Sequence, residues 1–576
     1  MNFVKFFAAG ALLLSACPFT AFADETENPL KDQTPIMTFT TTKGMEAKET
    51  SRFFQIYLKS SIANDSAYVD YGNGQPPVKI PIPKANYLTT LKNDVTKVKM
   101  EKDTAVVKLY GNNIWFVNIN NDRVIDLKIH EGAKKIKEFR CENDSLTDFD
   151  FLNEMTSLEY AVITNNRAEK INIVNDSLQR LQMNKQPELK GLSVKSKNLY
   201  EFKLQNSLCS SIILTDCPSL RELTCFDNIL LKEFKTDSKV LTKFNLYKNP
   251  ILETVEIPAQ PKLGTLQITN NPKMTSINLA DYPAVTNLAV FGSGFESIDA
   301  SDLAELTQFQ AQNSPSLKSL NFKGCKKVTS ISANGSPLLA SVDVSDCEIL
   351  KTLNLYDCNL SALELNPKAL ATLTTFKIQN NNFNLETLPP TPTKISVNNY
   401  VYAPQKGFPK LPASSNLSTE YDLAGWLKAM KGDTEVKSIV KLVSIFEEDM
   451  EEGVDYEQVG TKFRFLKSNI DSLAFIVTNE AYPKFSGDNM LTSGYTRVSA
   501  GNSGVDDNLA AADKAIATDG TSVVVKGMKG EICRIYDLTG RMIEEIVIAD
   551  DLQLIPLPDN APYIVRAGKL SRKIIL

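Results

Sequence analysis

Apolar residues recur along the middle of the chain in one frame: apolar, two residues, apolar, one residue, apolar, then Asn, Cys or Asp shortly after. The frame opens at Ile114-Val117-Ile119 and Ile136-Phe139-Cys141, passes through Leu241-Phe244-Leu246, and closes at Leu373-Phe376-Ile378. Thirteen turns fit it, and the twelve steps from Ile114 to Leu373 average about 21.6 residues. A short apolar alternation of this kind is a strand, whose side chains point to opposite faces in turn. A second alternation lies half a period on, as in Leu317-Leu320-Phe322 and Leu360-Leu363-Leu365, so each turn carries a second extended segment and helices are scarce. One supersecondary unit repeated at a fixed period stacks into a solenoid with a parallel sheet. The expected fold is therefore mainly β.

Between the halves stand Asn249-Pro250, Asn270-Asn271-Pro272, Asn313-Ser314-Pro315 and Asn380-Asn381-Asn382. Buried backbone groups must be paired, and an amide offers both a donor and an acceptor to neighbouring turns, so an asparagine ladder is expected. Lys185-Gln186-Pro187 and Gly292-Ser293-Gly294 lack the Asn, and the ladder is expected to break there. Cys217, Cys325, Cys347 and Cys358 fall at ladder positions and Cys141 and Cys225 at apolar strand positions, which reads as free structural thiols rather than disulfides.

The regular frame divides the chain. Residues 1–23 read as a secretory signal, with Lys5, an apolar run over 6–14 and Ala21-Phe22-Ala23 before Asp24-Glu25. Leu14-Ser15-Ala16-Cys17 also resembles a lipobox, so a lipoprotein anchored through Cys17 stays open. Residues 24–113 hold short β-type runs (53–58, 95–100, 105–110) and read as an N-terminal cap over the solenoid end. The solenoid occupies 114–400 and a β-sandwich-like region 401–500. A linker over 501–517, rich in Gly, Ser and Ala, leads to a last unit of short strands, 518–576.

Composition narrows function mostly by exclusion. A net charge of −5 spread along 576 residues supplies no basic stripe for nucleic acid. No stretch beyond the signal is long and apolar enough to span a bilayer as a helix. The chain has one histidine, His130, no glycine-rich phosphate loop and no pair of carboxylates that the repeat brings together. It is expected to be no enzyme, with no cofactor and no metal. The acidic run 447–452 reads as a solvated loop.

With the first apolar residue of each turn as position zero, positions 2, 4 and 6 face outward. In the early turns they carry charges of both signs: Glu138, Arg140, Glu142, Arg180, Glu201, Lys203, Glu222 and Lys243. From Thr265 through Thr375 they carry none. The candidate ligand-binding residues are Phe226, Tyr247, Gln267, Asn287, Phe291, Gln308, Gln310, Gln312 and Tyr356. Aromatics beside planar amides suit a protein or a glycan ligand.

Two resemblances add to this. Ile535-Tyr536-Asp537-Leu538-Thr539-Gly540-Arg541, then Pro562-Tyr563-Ile564-Val565-Arg566 and the end from Gly568-Lys569 through Lys573, resemble the C-terminal sorting domain of type IX secretion cargo in the Bacteroidetes. The resemblance implies passage through the outer membrane, with Asp537, Gly540, Arg541, Gly568, Lys569 and Lys573 as its sorting motif. It also favours an ordinary cleaved signal. The repeats, with a period inside the leucine-rich-repeat range, are similar to leucine-rich-repeat surface proteins of those bacteria, related to internalins and BspA-like adhesins. This implies an exported or surface protein that binds a macromolecule: an adhesin, or alternatively a glycan-binding part of an uptake system or a passive surface-layer protein.

Overall fold

The computed structural model describes residues 30, 33–42, 54, 56–72, 74–86, 88–90, 104–396, 398–444, 449–468, 470–499, 514–518, 522–538, 540–557, 561–568 and 570–575. The signal 1–23 with Cys17, the run 95–100, residues 501–513 of the linker and Lys569 lie outside them. Chain contacts divide the protein into two compact units: residues up to Asn381 with Pro389–Tyr402, and Asn382–Leu388 with Ala403–Leu576.

The first unit is a leucine-rich-repeat solenoid. Thirteen rungs, from Ile114–Asn120 and Glu138–Glu142 to Thr352–Asn354 and Thr375–Lys377, pair in parallel as the body of a 16-stranded sheet. Each rung aligns with the next without slippage, as Glu222↔Lys243 and Phe226↔Tyr247 show. The register is held because positions 3 and 5 are core: Phe139, Cys141, Phe244, Leu246, Phe309 and Ala311 are fully buried. A slip of one residue would turn all of them outward.

The half-period alternation forms the back. Lys170–Val174, Gly191–Lys195, Ser211–Leu214, Glu233–Thr236 and Thr254–Glu256 make one parallel sheet, and Ser297–Asp299, Ser319–Asn321 and Ser341–Asp343 another. Only short 3-10 turns interrupt the strands. At the N-terminal end the long sheet continues through two antiparallel strands, Ile56–Ser60 and Thr89–Thr90, and at the other end through Tyr400–Val401. A second, five-stranded antiparallel sheet shares Val124–Ile129 with the first back segment and buries Met37, Phe39, Val69 and Leu109. The exposed end of the stack is covered in this way.

The turn after each rung separates two roles that look alike in sequence. Position 7 is left-handed in all thirteen turns, with φ from 48° at Lys185 to 71° at Gly335. Asn, Asp and Gly dominate this column because they enter that region at least cost. Position 8 is the ladder: Asp122, Asp144, Asn166, Gln186, Ser207, Asn228, Asn249, Asn271, Ser293, Ser314, Ser336, Cys358 and Asn381. In Asn270-Asn271 the first residue bends the chain and the second pairs the backbone.

Of the two expected breaks in this ladder, Ser293 is closed and Gln186 is half open: its amide nitrogen is paired, but its buried Oε1 accepts no hydrogen bond. Gln186 Nε2 donates to the carbonyls of Ile163 and Asn184, both at 2.9 Å. Ser293 Oγ donates to the Ile268 carbonyl at 2.8 Å and accepts the Asn271 N–H at 3.3 Å. A serine can close the column as Ser293 does, but Ser314 Oγ, buried at the same position, has no partner, so residue type alone does not close it. At Ser293 the preceding Gly292, φ 65°, makes room: a Cβ there would stand 2.4 Å from Asn270 Oδ1.

The cysteines need a second correction. All eight described are free and buried, but of the four assigned to the ladder only Cys358 stands in it. Cys217, Cys325 and Cys347 belong to a separate column at the back corner, with Asn175, Ser196, Ser238 and Gln260. That column does the same work: Asn175 Nδ2, Ser196 Oγ, Ser238 Oγ and Cys325 Sγ all donate to backbone carbonyls, of Leu152, Leu178, Leu220 and Ala300.

The second unit is also β. Ser414–Asn416, Thr496–Ser499, Ile470–Thr478 and Ile439–Ser444 form one sheet, joined by Leu491–Thr492, and Glu420–Asp422, Lys462–Phe465 and Tyr456–Val459 another. Phe475 sits at the centre of its aromatic core, stacked on Tyr421 at 5.0 Å. The C-terminal strands make two further sheets, of three and four strands, around Val523, Val525, Ile535 and Val565. The first of these strands, Ala515–Thr518, begins inside the stretch 501–517 that composition marks as linker. It is ordered because Ile516 is buried in that core and the strand pairs with Ser522–Lys526.

Candidate ligand-binding face

Burial alternates along the rungs as strand geometry requires. Positions 2, 4 and 6 of Glu138–Glu142, Tyr160–Thr164 and Arg180–Asn184 are half-buried while 3 and 5 are buried. All nine candidate residues fall in the three outward columns: Asn287 and Gln308 at position 2, Gln267 and Gln310 at position 4, and Phe226, Tyr247, Phe291, Gln312 and Tyr356 at position 6. Gln267, Gln308 and Gln310 are exposed and the others half-buried. Three outward positions, Phe116, Thr269 and Ala289, are covered by their neighbours.

The glutamine amides of the candidate set lack partners among the described residues, whereas Asn354 Nδ2 donates to Ser332 Oγ at 3.3 Å. No hydrogen bond joins the side chains of Gln267, Gln308, Gln310 or Gln312 to any described residue, and the Gln312 carbonyl oxygen is without a partner. Asn287 Nδ2 donates only to Thr286 Oγ1, at 3.2 Å.

Charge is arranged differently front and back. On the back, lysines reach carboxylates one turn away: Lys190–Glu169, Lys318–Glu296, Lys327–Glu305 and Lys368–Glu348, at 2.6 to 2.8 Å. These pairs hold Glu169 and Glu348 below the usual carboxylate range, chiefly through the lysine hydrogen bond. On the front, cations also meet rings. Lys203 Nζ lies 5.7 Å from the Phe226 ring and Lys248 Nζ 5.0 Å from the Tyr247 ring. Lys248 is a position 7 residue, so a charge borders the patch that the outward columns alone do not reveal.

Reading those columns for charge also missed a cluster in the early turns. Lys59 Nζ lies 4.7 Å from the Phe116 ring, and the Arg140 guanidinium 5.6 Å from both Phe116 and Tyr160. Arg180 lies 4.0 Å from Tyr160 on the next rung. Glu138 Oε1 accepts from Arg140 at 2.6 and 2.8 Å. Burial pushes the Tyr160 phenol up, against the lowering pull of Arg140 and Arg180. The signal was present: Phe116 and Tyr160 are two turns apart at position 2, with Arg140 between them.

A hollow of about 690 Å3 lies elsewhere, at the back beside Val174, Asp176, Lys195, Lys197, Asp216 and Asp237. Its two lysines are paired, Lys197 with Asp176 at 2.5 Å and Lys195 with Asp216 at 3.5 Å, and Asp237 accepts the Asp216 and Cys217 N–H groups.

The remaining singled-out residues have structural partners. His130 Nε2 hydrogen-bonds Thr38 Oγ1 at 3.0 Å. Asp537 Oδ1 accepts the Arg541 N–H at 3.0 Å and Gly540 has φ 83°, so Asp537, Gly540 and Arg541 shape one tight turn. Gly568, φ 56°, begins the turn before the last strand, and Lys573 Nζ lies 5.4 Å from the Tyr495 ring. No helix among the described residues is long and apolar enough to cross a membrane.

No family model and no curated protein matches the chain. Among solved structures it is similar to the functional domain of InlJ from Listeria monocytogenes, which includes a cysteine ladder, at 14% identity over 67% of this chain and 90% of that one, with a TM-score of 0.32. The leucine-rich-repeat domain of APL1B aligns at 13% identity over 51% of this chain and 86% of its own, with a TM-score of 0.34. The internalin InlF of Listeria monocytogenes aligns at 14% identity over 47% and 75%, with a TM-score of 0.28.

Proposed function

We propose that the protein is an exported surface adhesin that holds an external macromolecule on the outer face of its long sheet and catalyses no reaction. One observation carries this reading: over rungs 265–377 the outward columns are uncharged as far as Thr375, and the exposed amides of Gln267, Gln308 and Gln310 have no partner among the described residues. These three glutamines are also solvent-exposed, so their amides are available to a ligand. The leader and the terminal strands support export, with the type IX machinery as the transport partner and the outer-membrane surface or the medium as destination.

The test of binding uses the chain from Asp24 and a variant with Tyr247, Phe291 and Gln310 replaced by Ala, offered extracellular matrix, serum and cell-wall polysaccharide. The wild type should retain a ligand that the variant releases. Equal retention of every ligand by both removes the face from consideration. Export is tested separately by deleting residues 514–576 in the native host, which should leave the protein inside the outer membrane.

A further inference from the structure

We infer that the ligand of this face is a neutral, linear, β-linked polysaccharide lying across the strands, along the axis of the solenoid. The inference rests on the binding role proposed above and adds the class and direction of the ligand.

Three observations select the class. First, the columns from Thr265 to Thr375 contain no Arg, Trp, Met, Leu or Ile. The centre of a protein interface is apolar and draws its strongest contacts from Trp, Tyr and Arg. Second, the polar groups present are neutral and two-sided. The exposed amides of Gln267, Gln308 and Gln310 each offer a donor and an acceptor, and Ser330, Ser332 and Thr352 add hydroxyls. Such groups match vicinal hydroxyls of a sugar, and nothing among them favours an anion or a cation. Third, aromatic rings stand at intervals in one column: Phe226, Tyr247, Phe291 and Tyr356 at position 6. Rings of this kind present an apolar platform to the C–H face of a pyranose.

Direction follows from the repeat. Rungs are spaced roughly 4.8 Å apart. An equatorially linked hexose chain is an extended ribbon that advances by about one rung per sugar, so successive sugars meet successive rungs in the same register. From Phe226 to Tyr356 the column spans seven rungs, on the order of 30 Å at that spacing. A ligand of six or seven sugars would fill it, and shorter ones would reach fewer rings.

The test measures binding of neutral β-linked gluco-, manno-, xylo- and N-acetylglucosamine oligosaccharides of two, four and six units to the chain from Asp24, by calorimetry at low and high salt. Polygalacturonate serves as the charged control. At least one hexamer should bind more tightly than its dimer and with little salt dependence, and Phe291→Ala or Tyr356→Ala should weaken it about tenfold, as loss of a ring from a binding centre does. The conservative Phe291→Tyr should retain binding. If no neutral oligosaccharide binds while the triple alanine variant still loses its macromolecular ligand, the polysaccharide class is wrong and the binding role stands. If the triple variant loses nothing, both are wrong. Binding that ignores Phe291→Ala, or that collapses with salt, also overturns the inference.

Discussion

Two sets of planar amides run along the solenoid with the same period and opposite fates. At position 8, Asn271 accepts the Asn249 N–H at 2.9 Å and donates to the carbonyls of Leu246 and Thr269 at 2.9 and 3.1 Å. At positions 2 and 4, the exposed Gln267, Gln308 and Gln310 donate to no described residue. Residue type does not separate them. Depth does: inside, a missing partner leaves backbone groups stranded away from water, whereas outside, water or a ligand completes the shell. One period thus places a structural column and an available surface a few residues apart.

The sharpest way to break the comparison is to remove an inner amide. Asn271→Ala strands the Asn249 N–H and the Leu246 carbonyl and removes the acceptor of Asn249 Nδ2, each costing about 1–3 kcal/mol, while the Thr269 carbonyl keeps the Lys248 N–H. The expected loss is on the order of 5 kcal/mol in urea unfolding. A loss under ~1 kcal/mol would mean that the column is redundant with stacking of the sheet.

The inner thiols give a second, pH-dependent contrast. Burial raises Cys217 and Cys325 from 9.0 to about 11 and Cys209 and Cys347 to about 12. The folded chain therefore keeps protons that the unfolded chain gives up above pH 9. Their stabilisation is complete below pH 9 and declines as pH rises towards 11 and 12, with a slope of about 1.4 kcal/mol per pH unit for each thiol ionised only when unfolded. Urea midpoints at pH 8 and 10.5 should show the decline, and Cys325→Ala with Cys347→Ala should make it shallower. An unchanged slope in that pair would place the alkaline sensitivity elsewhere.

How much of this was legible in the sequence depends on distance along the chain. The rungs, their register and the outward columns follow from alternation and one period, because position in a stacked strand determines direction. The back strands were legible for the same reason. What failed were judgements that needed the third dimension. The sequence does not tell that Ser293 closes the ladder by reaching a carbonyl one turn away, while Gln186 pairs its nitrogen and leaves Oε1 open. Cys325 and Cys347 were given to the ladder because spacing alone does not distinguish its corner from the back one. The ring and cation series through Phe116, Arg140 and Tyr160 crosses three rungs and alternates columns, so no single column displays it. Ala515–Thr518 was hidden by composition, although Ile516 is the one residue there that a core can hold.

Position 7 sharpens the comparison at smaller scale. Lys185 and Lys248 hold φ of 48° and 53°, where a side chain with a Cβ and no local hydrogen bond is strained. Lys185→Asn should therefore stabilise by about 0.5–1 kcal/mol. Lys248→Asn should stabilise similarly but also remove the ammonium 5.0 Å from the Tyr247 ring. Thermal unfolding of both variants separates strain from the ring contact. A gain at residue 185 and none at 248 would assign the difference to the Lys248–Tyr247 contact.

The smallest effect is expected where the outer amides are removed. Gln267→Ala, Gln308→Ala and Gln310→Ala delete side chains that bond to nothing and shield little, so each should change stability by less than ~0.5 kcal/mol. Their sum should be additive only in part, since Gln308 and Gln310 lie on one rung and Gln267 two rungs away. A combined variant that unfolds at the wild-type urea concentration would show that these residues contribute nothing to holding the repeat together. A loss of several kcal/mol would show the opposite, that stacked outer amides brace neighbouring rungs through contacts between their planes. In that case the free face would be a second structural column, and the case for a ligand would have to rest on the rings alone.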